Sequence, residues 1–144
     1  MNPIPERILD FIGEHHIFNL AVSEENGPWC ATCFYAYSKT NNQFIFTSEP
    51  ATRHILSLEK NGNYLVAGTI ALETKMVGKI RGIQFTGLMK KPEGKELKEA
   101  KATYLRSFPI ARLTTLYLWT LTPDYIKMTD NRLGFGKKLI WKIC

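Results

Sequence analysis

Residues 17–47 leave this chain few choices of fold: IFNLAVSEENGPWCATCFYAYSKTNNQFIFT. Residues 17–23 read as a strand. Residues 24–28 form a turn with Asn26-Gly27 at its tip, a pairing that favours tight hairpins because both residues tolerate positive φ. Residues 29–37, rich in aromatics, read as the return strand. A second polar turn, residues 38–42, leads into a third strand at 43–47. Three strands joined by short turns make an antiparallel meander, and a meander needs something to close over its apolar face.

The rest of the chain supplies it. Ile4, Ile8, Phe11, Ile12 and His15 fall near helical spacing behind Pro3 and Pro5. Pro50 opens a short helix with Ala51, His54, Ile55 and Leu58 on one face, ended by Asn61-Gly62-Asn63. Residues 64–72 and 77–89 read as strands, the second punctuated by Gly78, Gly82 and Gly87, which suggests bends or close backbone approach. Pro92 opens the longest helix, which stops before Pro109, with Leu97, Ala100, Tyr104, Leu105 and Phe108 as its apolar stripe. Residues 116–121 and 125–129 are expected as two strands around Thr122-Pro123-Asp124. Gly134-Phe135-Gly136 makes a turn before a last extended piece at 138–143. The order predicts a mainly β protein: a small antiparallel barrel with two to three peripheral helices, in a single domain spanning 1–144.

Composition excludes several functions. In 144 residues, 44% are apolar and 22% charged, which is ordinary for a globular chain. No apolar run is long enough to span a bilayer. Glu6, Asp10 and Glu14 interrupt the N-terminal apolar pattern, unlike a secretory signal, so a cytoplasmic location without membrane contact is expected. Cys30 and Cys33 form a C-x-x-C. On a strand, residues three apart point to opposite faces, and there is no second pair for a zinc site, so neither redox nor metal chemistry is expected of them. The last twenty residues carry Lys127, Arg132, Lys137, Lys138 and Lys142 against Asp130 alone, most of the formal charge of +6. A solvated basic end accounts for this better than a nucleic-acid site.

One stretch concentrates binding chemistry. In FTSEPATRH, residues 46–54, the hydroxyls of Thr47, Ser48 and Thr52 lie near a strand end. The N–H groups of the Pro50 helix carry the positive end of its dipole, and Arg53 can grip two phosphate oxygens at once. The same residues also suit a capped turn, with Ser48 as N-cap. Gln84, in RGIQFTG, can present a donor and an acceptor to a heterocycle.

Taken in series, WCATCFYAY (29–37), FTSEPATRH (46–54), VAGT (66–69), RGIQFTG (81–87), RSFPIAR (106–112) and TDNRLGFGKKLIW (129–141) resemble the flavin-binding split β-barrel superfamily typified by pyridoxamine phosphate oxidase. More closely, they resemble the YhbP-like bacterial proteins. The resemblance implies a six-stranded, Greek-key split barrel that forms a homodimer, with FMN at the interface. It implies that Phe46 and Thr47 hold the flavin and its phosphate and that Thr52 and Arg53 close around the phosphate, to which the neighbouring Ser48 hydroxyl could also donate. The backbone of residues 31–34, with Thr32 and Cys33, would line the isoalloxazine, and Gln84 would reach the ring from the partner subunit's side. The chain departs from the oxidases at three places. No cation occurs in WCATCF, the helix pair is Thr52-Arg53 rather than two cations, and LGFGKKLIW replaces their C-terminal Trp- and Arg-containing motif. Vitamin B6 oxidation is therefore not expected.

These residues frame the expected function as an FMN-dependent oxidoreductase of unknown substrate, served by a small-molecule redox partner. Its alternatives are a non-catalytic FMN-binding or redox-sensing protein, and a haem protein on the same barrel using His15, His16 or His54. No catalytic side chain is assigned.

Overall fold

The computed structural model of the chain describes residues 2–144. Three helices, α1 (Glu6–Glu14), α2 (Arg53–Asn61) and α3 (Gly94–Ser107), accompany seven strands. The strands are β1 (Ile17–Glu24), β2 (Gly27–Ser38), β3 (Gln43–Thr47), β4 (Leu65–Ala71), β5 (Arg81–Lys90), β6 (Leu118–Asp130) and β7 (Lys138–Lys142). Short 3-10 turns occupy Val77–Lys79, Pro109–Leu113 and Asn131–Leu133.

Every pairing is antiparallel, in the order β3-β2-β1-β4-β5-β6-β7, and β3 also pairs with β6. That last contact closes six strands into a ring. The first end of β6 seals against β3, Phe44–Leu121 to Thr47–Leu118, while its far end carries β7. The chain leaves β3 through α2 and returns as β4 beside β1, which is the Greek-key order.

Two expected strands prove to be one. Residues 118–130 run continuously as β6 through Pro123. Pro123 has no N–H to donate, and it lies opposite Gly87 where the register shifts, leaving Asp124 as the extra residue of a bulge. Gly87 is required there, because a Cβ would come within 2.5 Å of the Thr122 carbonyl. The expected strand 77–89 also starts late: Val77–Lys79 turns, and β5 begins at Arg81. The Val77 carbonyl in that turn accepts from Asn131 Nδ2 at 2.8 Å. The helix expected from Pro50 begins as a helix only at Arg53.

The ring is filled by Phe18, Phe44, Phe46, Phe85 and Tyr35, all buried. The Phe44 and Phe85 rings stack with centroids 4.7 Å apart, and Phe18 meets Phe46 edge-on at 5.1 Å. Gly68 has no side chain because the Phe85 ring covers it. α1 is joined to the ring through Tyr35, whose hydroxyl donates to the Ile12 carbonyl at 2.6 Å. α2 contributes Ile55 and Leu58 to the same core. α3 packs outside, where Ala100 and Tyr104 meet Ala36, Ile45 and Leu118. Both faces of β3 are thereby covered, which is why Phe44, Ile45 and Phe46 are all buried.

Candidate functional site

The period of two along β2 separates its cysteines. Cys33 and Tyr35 point into the ring, whereas Cys30, Thr32 and Phe34 stand on the exterior. Burial pushes the Cys33 thiol up to about 11, only partly offset by its contact with Ser48. Such a thiol is protonated and inert at neutral pH.

The strand end and loop after β3 bring several predicted residues together. Ser48 is buried, and its Oγ shares a hydrogen bond with His54 Nε2 at 2.8 Å and lies 4.0 Å from Cys33 Sγ. Burial holds the His54 imidazole below its ordinary pKa. Thr47 Oγ1 accepts from the Tyr117 N–H at 3.1 Å. Thr52 occupies the N-cap position of α2, but its hydroxyl donates backward to the Glu49 carbonyl at 2.8 Å. No side chain caps α2, so its first N–H groups keep the positive end of the helix dipole open.

Arg53 is held by a residue that spacing alone does not reveal. Its Nε and Nη2 donate to the two carboxylate oxygens of Glu24, at 3.0 and 2.7 Å. Its guanidinium lies 3.7 Å above the Trp29 ring, and Ser57 Oγ donates to the same carboxylate. Hydrogen bonds from Arg53 and Ser57 hold the Glu24 carboxyl down at about 2. Glu24 is 29 residues from Arg53, and only the β1–β2 hairpin folding over α2 brings them together. Two adjacent acids at a hairpin tip, Glu24 and Glu25, are the trace of this in the sequence, and they do not say which of them meets Arg53.

The other predicted residues lie elsewhere. Phe46 turns its ring into the core. Thr32 and Gln84 share the exterior: Thr32 faces Asn19, Asn19 faces Thr69, and Thr69 faces Gln84, one polar row across β2, β1, β4 and β5. Thr32 Oγ1 donates to Asn19 Oδ1 at 3.0 Å. From Cys30 to Phe34, Ile17 to Ser23, Leu65 to Ala71 and Gly82 to Leu88, the outward positions of these four strands carry no charged side chain. Ile17, Phe34, Leu65 and Leu88 lie on that face, 45, 57, 59 and 52% exposed.

Among the histidines, His54 is taken by Ser48. The His15 ring packs 4.3 Å from Phe11, and His16 is exposed beside Phe108. Among the described residues, no three His, Cys, Asp or Glu side chains are grouped to hold a metal, and no helix is long and apolar enough to cross a membrane.

No family model matches the sequence. Curated relatives do. The UPF0306 protein YhbP of Escherichia coli O157:H7 is 39% identical over 131 residues, covering 91% of this chain and 88% of that one. A UPF0306 protein of Photorhabdus laumondii is 39% identical over 132 residues, covering 92% and 91%. Among solved structures, a haem-binding protein from Mycobacterium smegmatis superposes with a TM-score of 0.72 at 17% identity, covering 88% of this chain and about half (52%) of that protein. A FAD-binding protein from Mesorhizobium loti gives 0.70 at 12% identity, covering 85% and 90%. A protein related to general stress protein 26, of the pyridoxinephosphate oxidase family, from Clostridium acetobutylicum gives 0.67 at 17% identity, covering 97% of each chain. At these identities the structures establish the split-barrel fold.

Proposed function

The chain belongs to the UPF0306 (YhbP) family and has a split-barrel fold, and from this we propose that it binds FMN at the exterior of β2, with the phosphate at the N-terminus of α2. One observation carries the reading: the uncapped N-terminus of α2 and the exposed Arg53, stacked on Trp29, lie on the inward side of β2, and among the described residues 27–34 have no strand partner on the edge away from β1, so a ligand can pass round that edge to the exterior, where Cys30, Thr32 and Phe34 carry no charge. A flavin needs both parts, a flat uncharged strip for the ring and fixed donors for the phosphate.

The residues fit the group unevenly. Phe34 and Thr32 suit the ring. Thr52, Ser48 and Thr47 already bond within the protein, so phosphate affinity rests on the helix N–H groups and Arg53. Bound flavin supplies electron transfer. The protein's part is to hold and orient the ring and to keep water from it. No side chain beside β2 is placed as an acid or base, so the reading is a flavoprotein oxidoreductase in which the chain contributes positioning. The haem-binding and FAD-binding neighbours support a ring-shaped redox cofactor on this fold.

A second copy completes this reading. The uncharged face pairs Ile17 with Phe34 at one corner and Leu65 with Leu88 at the diagonal corner. A two-fold axis in the plane of the face, across that diagonal, seats one pair on the other and covers the exterior of β2, placing the cofactor sites at the interface of a homodimer.

The test is uptake of FMN by the purified protein, followed by gel filtration and the visible spectrum. The expected result is a flavin spectrum that travels with the protein and is weakened in Arg53→Ala. A folded protein that retains no flavin at high micromolar FMN overturns the reading. Reduction of the bound flavin by a nicotinamide donor then separates an oxidoreductase from a binding protein.

A further inference from the structure

Among the described residues, the cation at the proposed phosphate site, Arg53, already has an anion. Glu24 presents two oxygens to the two nitrogens of the Arg53 fork, the same match that the fork makes with a phosphate. Ser57 adds a third donor to that carboxylate. The Trp29 ring, 3.7 Å beneath the guanidinium, fixes the plane of the fork independently of Glu24. A receptor for a two-oxygen anion is therefore assembled and filled from within the chain.

The surroundings repeat the pattern. A cavity of about 250 Å³ lies between the hairpin tip and α2, lined by Arg53, Ser57, Lys60, Asn26 and Asn61 as donors and by Glu24 and Glu25 as acids. Lys60 Nζ lies 4.0 Å from a Glu25 oxygen. The two cations and two acids cancel, so the pocket presents net positive charge at Arg53 once Glu24 leaves. Glu24 is the last residue of β1 and its partner across the turn is Gly27, whose φ of 141° belongs to glycine. The carboxylate thus sits at the end of the ladder beside the turn, where its side chain can leave Arg53 while Asn61 Nδ2 keeps its bond to the Ser23 carbonyl.

Resting on the FMN reading above, we propose that Glu24 is a built-in competitor for the ligand's phosphate, so that Arg53 exchanges a carboxylate for a phosphate on binding. Glu24 then sets the affinity of the site, and it sets it low. The exposed half of Arg53 makes the exchange modest: an ion pair partly open to solvent is worth a factor of roughly five in affinity.

The experiment titrates FMN, riboflavin and inorganic phosphate into the full chain and into Glu24→Gln. Flavin fluorescence and the α2 amide shifts are the readouts. Glu24→Gln is expected to bind FMN roughly fivefold more tightly, to leave riboflavin affinity unchanged, and to lose its gain in the double variant Glu24→Gln/Arg53→Ala. FMN affinity that is equal or weaker in Glu24→Gln overturns the competition while leaving the flavin reading intact. If neither protein takes up FMN, the flavin reading fails, and inorganic phosphate decides the competition. Tighter phosphate binding in Glu24→Gln sustains it; equal binding, or none, overturns it. Should Glu24→Gln fold poorly, Ser57→Ala removes one donor from the carboxylate and is expected to shift affinity the same way, less far.

Discussion

His54 Nε2 lies 2.8 Å from Ser48 Oγ, both side chains buried where the chain passes from β3 into α2. This bond joins the start of the loop to the first turn of the helix, so it fixes the segment carrying Thr52 and Arg53. Ser48→Ala would leave a buried imidazole nitrogen without a partner. It is expected to lower unfolding free energy by about 1–2 kcal/mol, measured by urea denaturation.

The same pair predicts a pH dependence. Burial depresses the His54 pKa, so below the ordinary histidine value the unfolded chain takes up a proton that the folded chain refuses. Stability is therefore full above about pH 6.5 and declines as pH falls from there toward the depressed value. His15, lowered chiefly by burial, acts in the same direction. A His54→Gln variant should show a flatter stability profile between neutral and mildly acidic pH. An unchanged slope would remove His54 from the account.

Asp130 anchors the far end of β6. Its fully buried carboxylate accepts from Arg132 N, Nε and Nη2 and from Arg7 Nη1, at 3.0–3.2 Å. These bonds, those of Arg132 foremost, hold its pKa below the ordinary carboxyl value. Its contribution is thus present above that ordinary value and is lost as pH falls through the depressed one. Arg7 and Arg132 are partly solvated, which moderates the cost of removing the acid. Asp130→Ala is expected to cost roughly 2–3 kcal/mol by thermal or urea unfolding, and Asp130→Asn should flatten the acid limb of the profile.

Much of this architecture is legible in the chain, because a strand with one buried face writes its period into the sequence. β1 and β2 and their turn are of that kind, whereas β3, buried on both faces, shows only as a short apolar run after a polar turn. β6 is not: Thr122-Pro123-Asp124 reads as a turn, and it stays in a strand only because Gly87, across the sheet, leaves room for the bulge. The site shows the same division. Thr47, Ser48, Thr52 and Arg53 can be picked out by residue type, yet Phe46 and Thr47, as neighbours in a strand, point opposite ways, and Phe46 belongs to the core. The Glu24–Arg53 pair depends on a hairpin closing over a helix, and no local spacing encodes it. The uncharged exterior becomes visible only once strand register shows which residues share a face.

The thiols provide a test of the inward and outward sides of β2. Cys30 and Cys144 are exposed and Cys33 is buried, with its thiol raised to about 11. In the native protein at about pH 8, a thiol reagent should label Cys144 quickly, and Cys30 quickly where the exterior of β2 is uncovered, as in Phe34→Glu. Cys33 should react only in denaturant. Rapid labelling of all three would place Cys33 outside the ring and undo the register of β2 against β1.

The uncharged face carries the last prediction. Exposed apolar side chains rimmed by polar ones mark interaction surfaces, and here two such pairs, Ile17–Phe34 and Leu65–Leu88, sit at diagonal corners of the uncharged face, on either side of its polar row. A charge placed in either pair would be buried against apolar side chains of a second copy, an arrangement costly enough to split a dimer. In a monomer the same charge would face solvent and matter little. Phe34→Glu and Leu88→Lys are each expected to halve the mass measured by light scattering while leaving the far-UV circular dichroism unchanged. Both variants should also lose FMN uptake, because the exterior of β2 would stand uncovered. A wild-type chain that is already monomeric at high micromolar concentration would overturn the two-fold pairing.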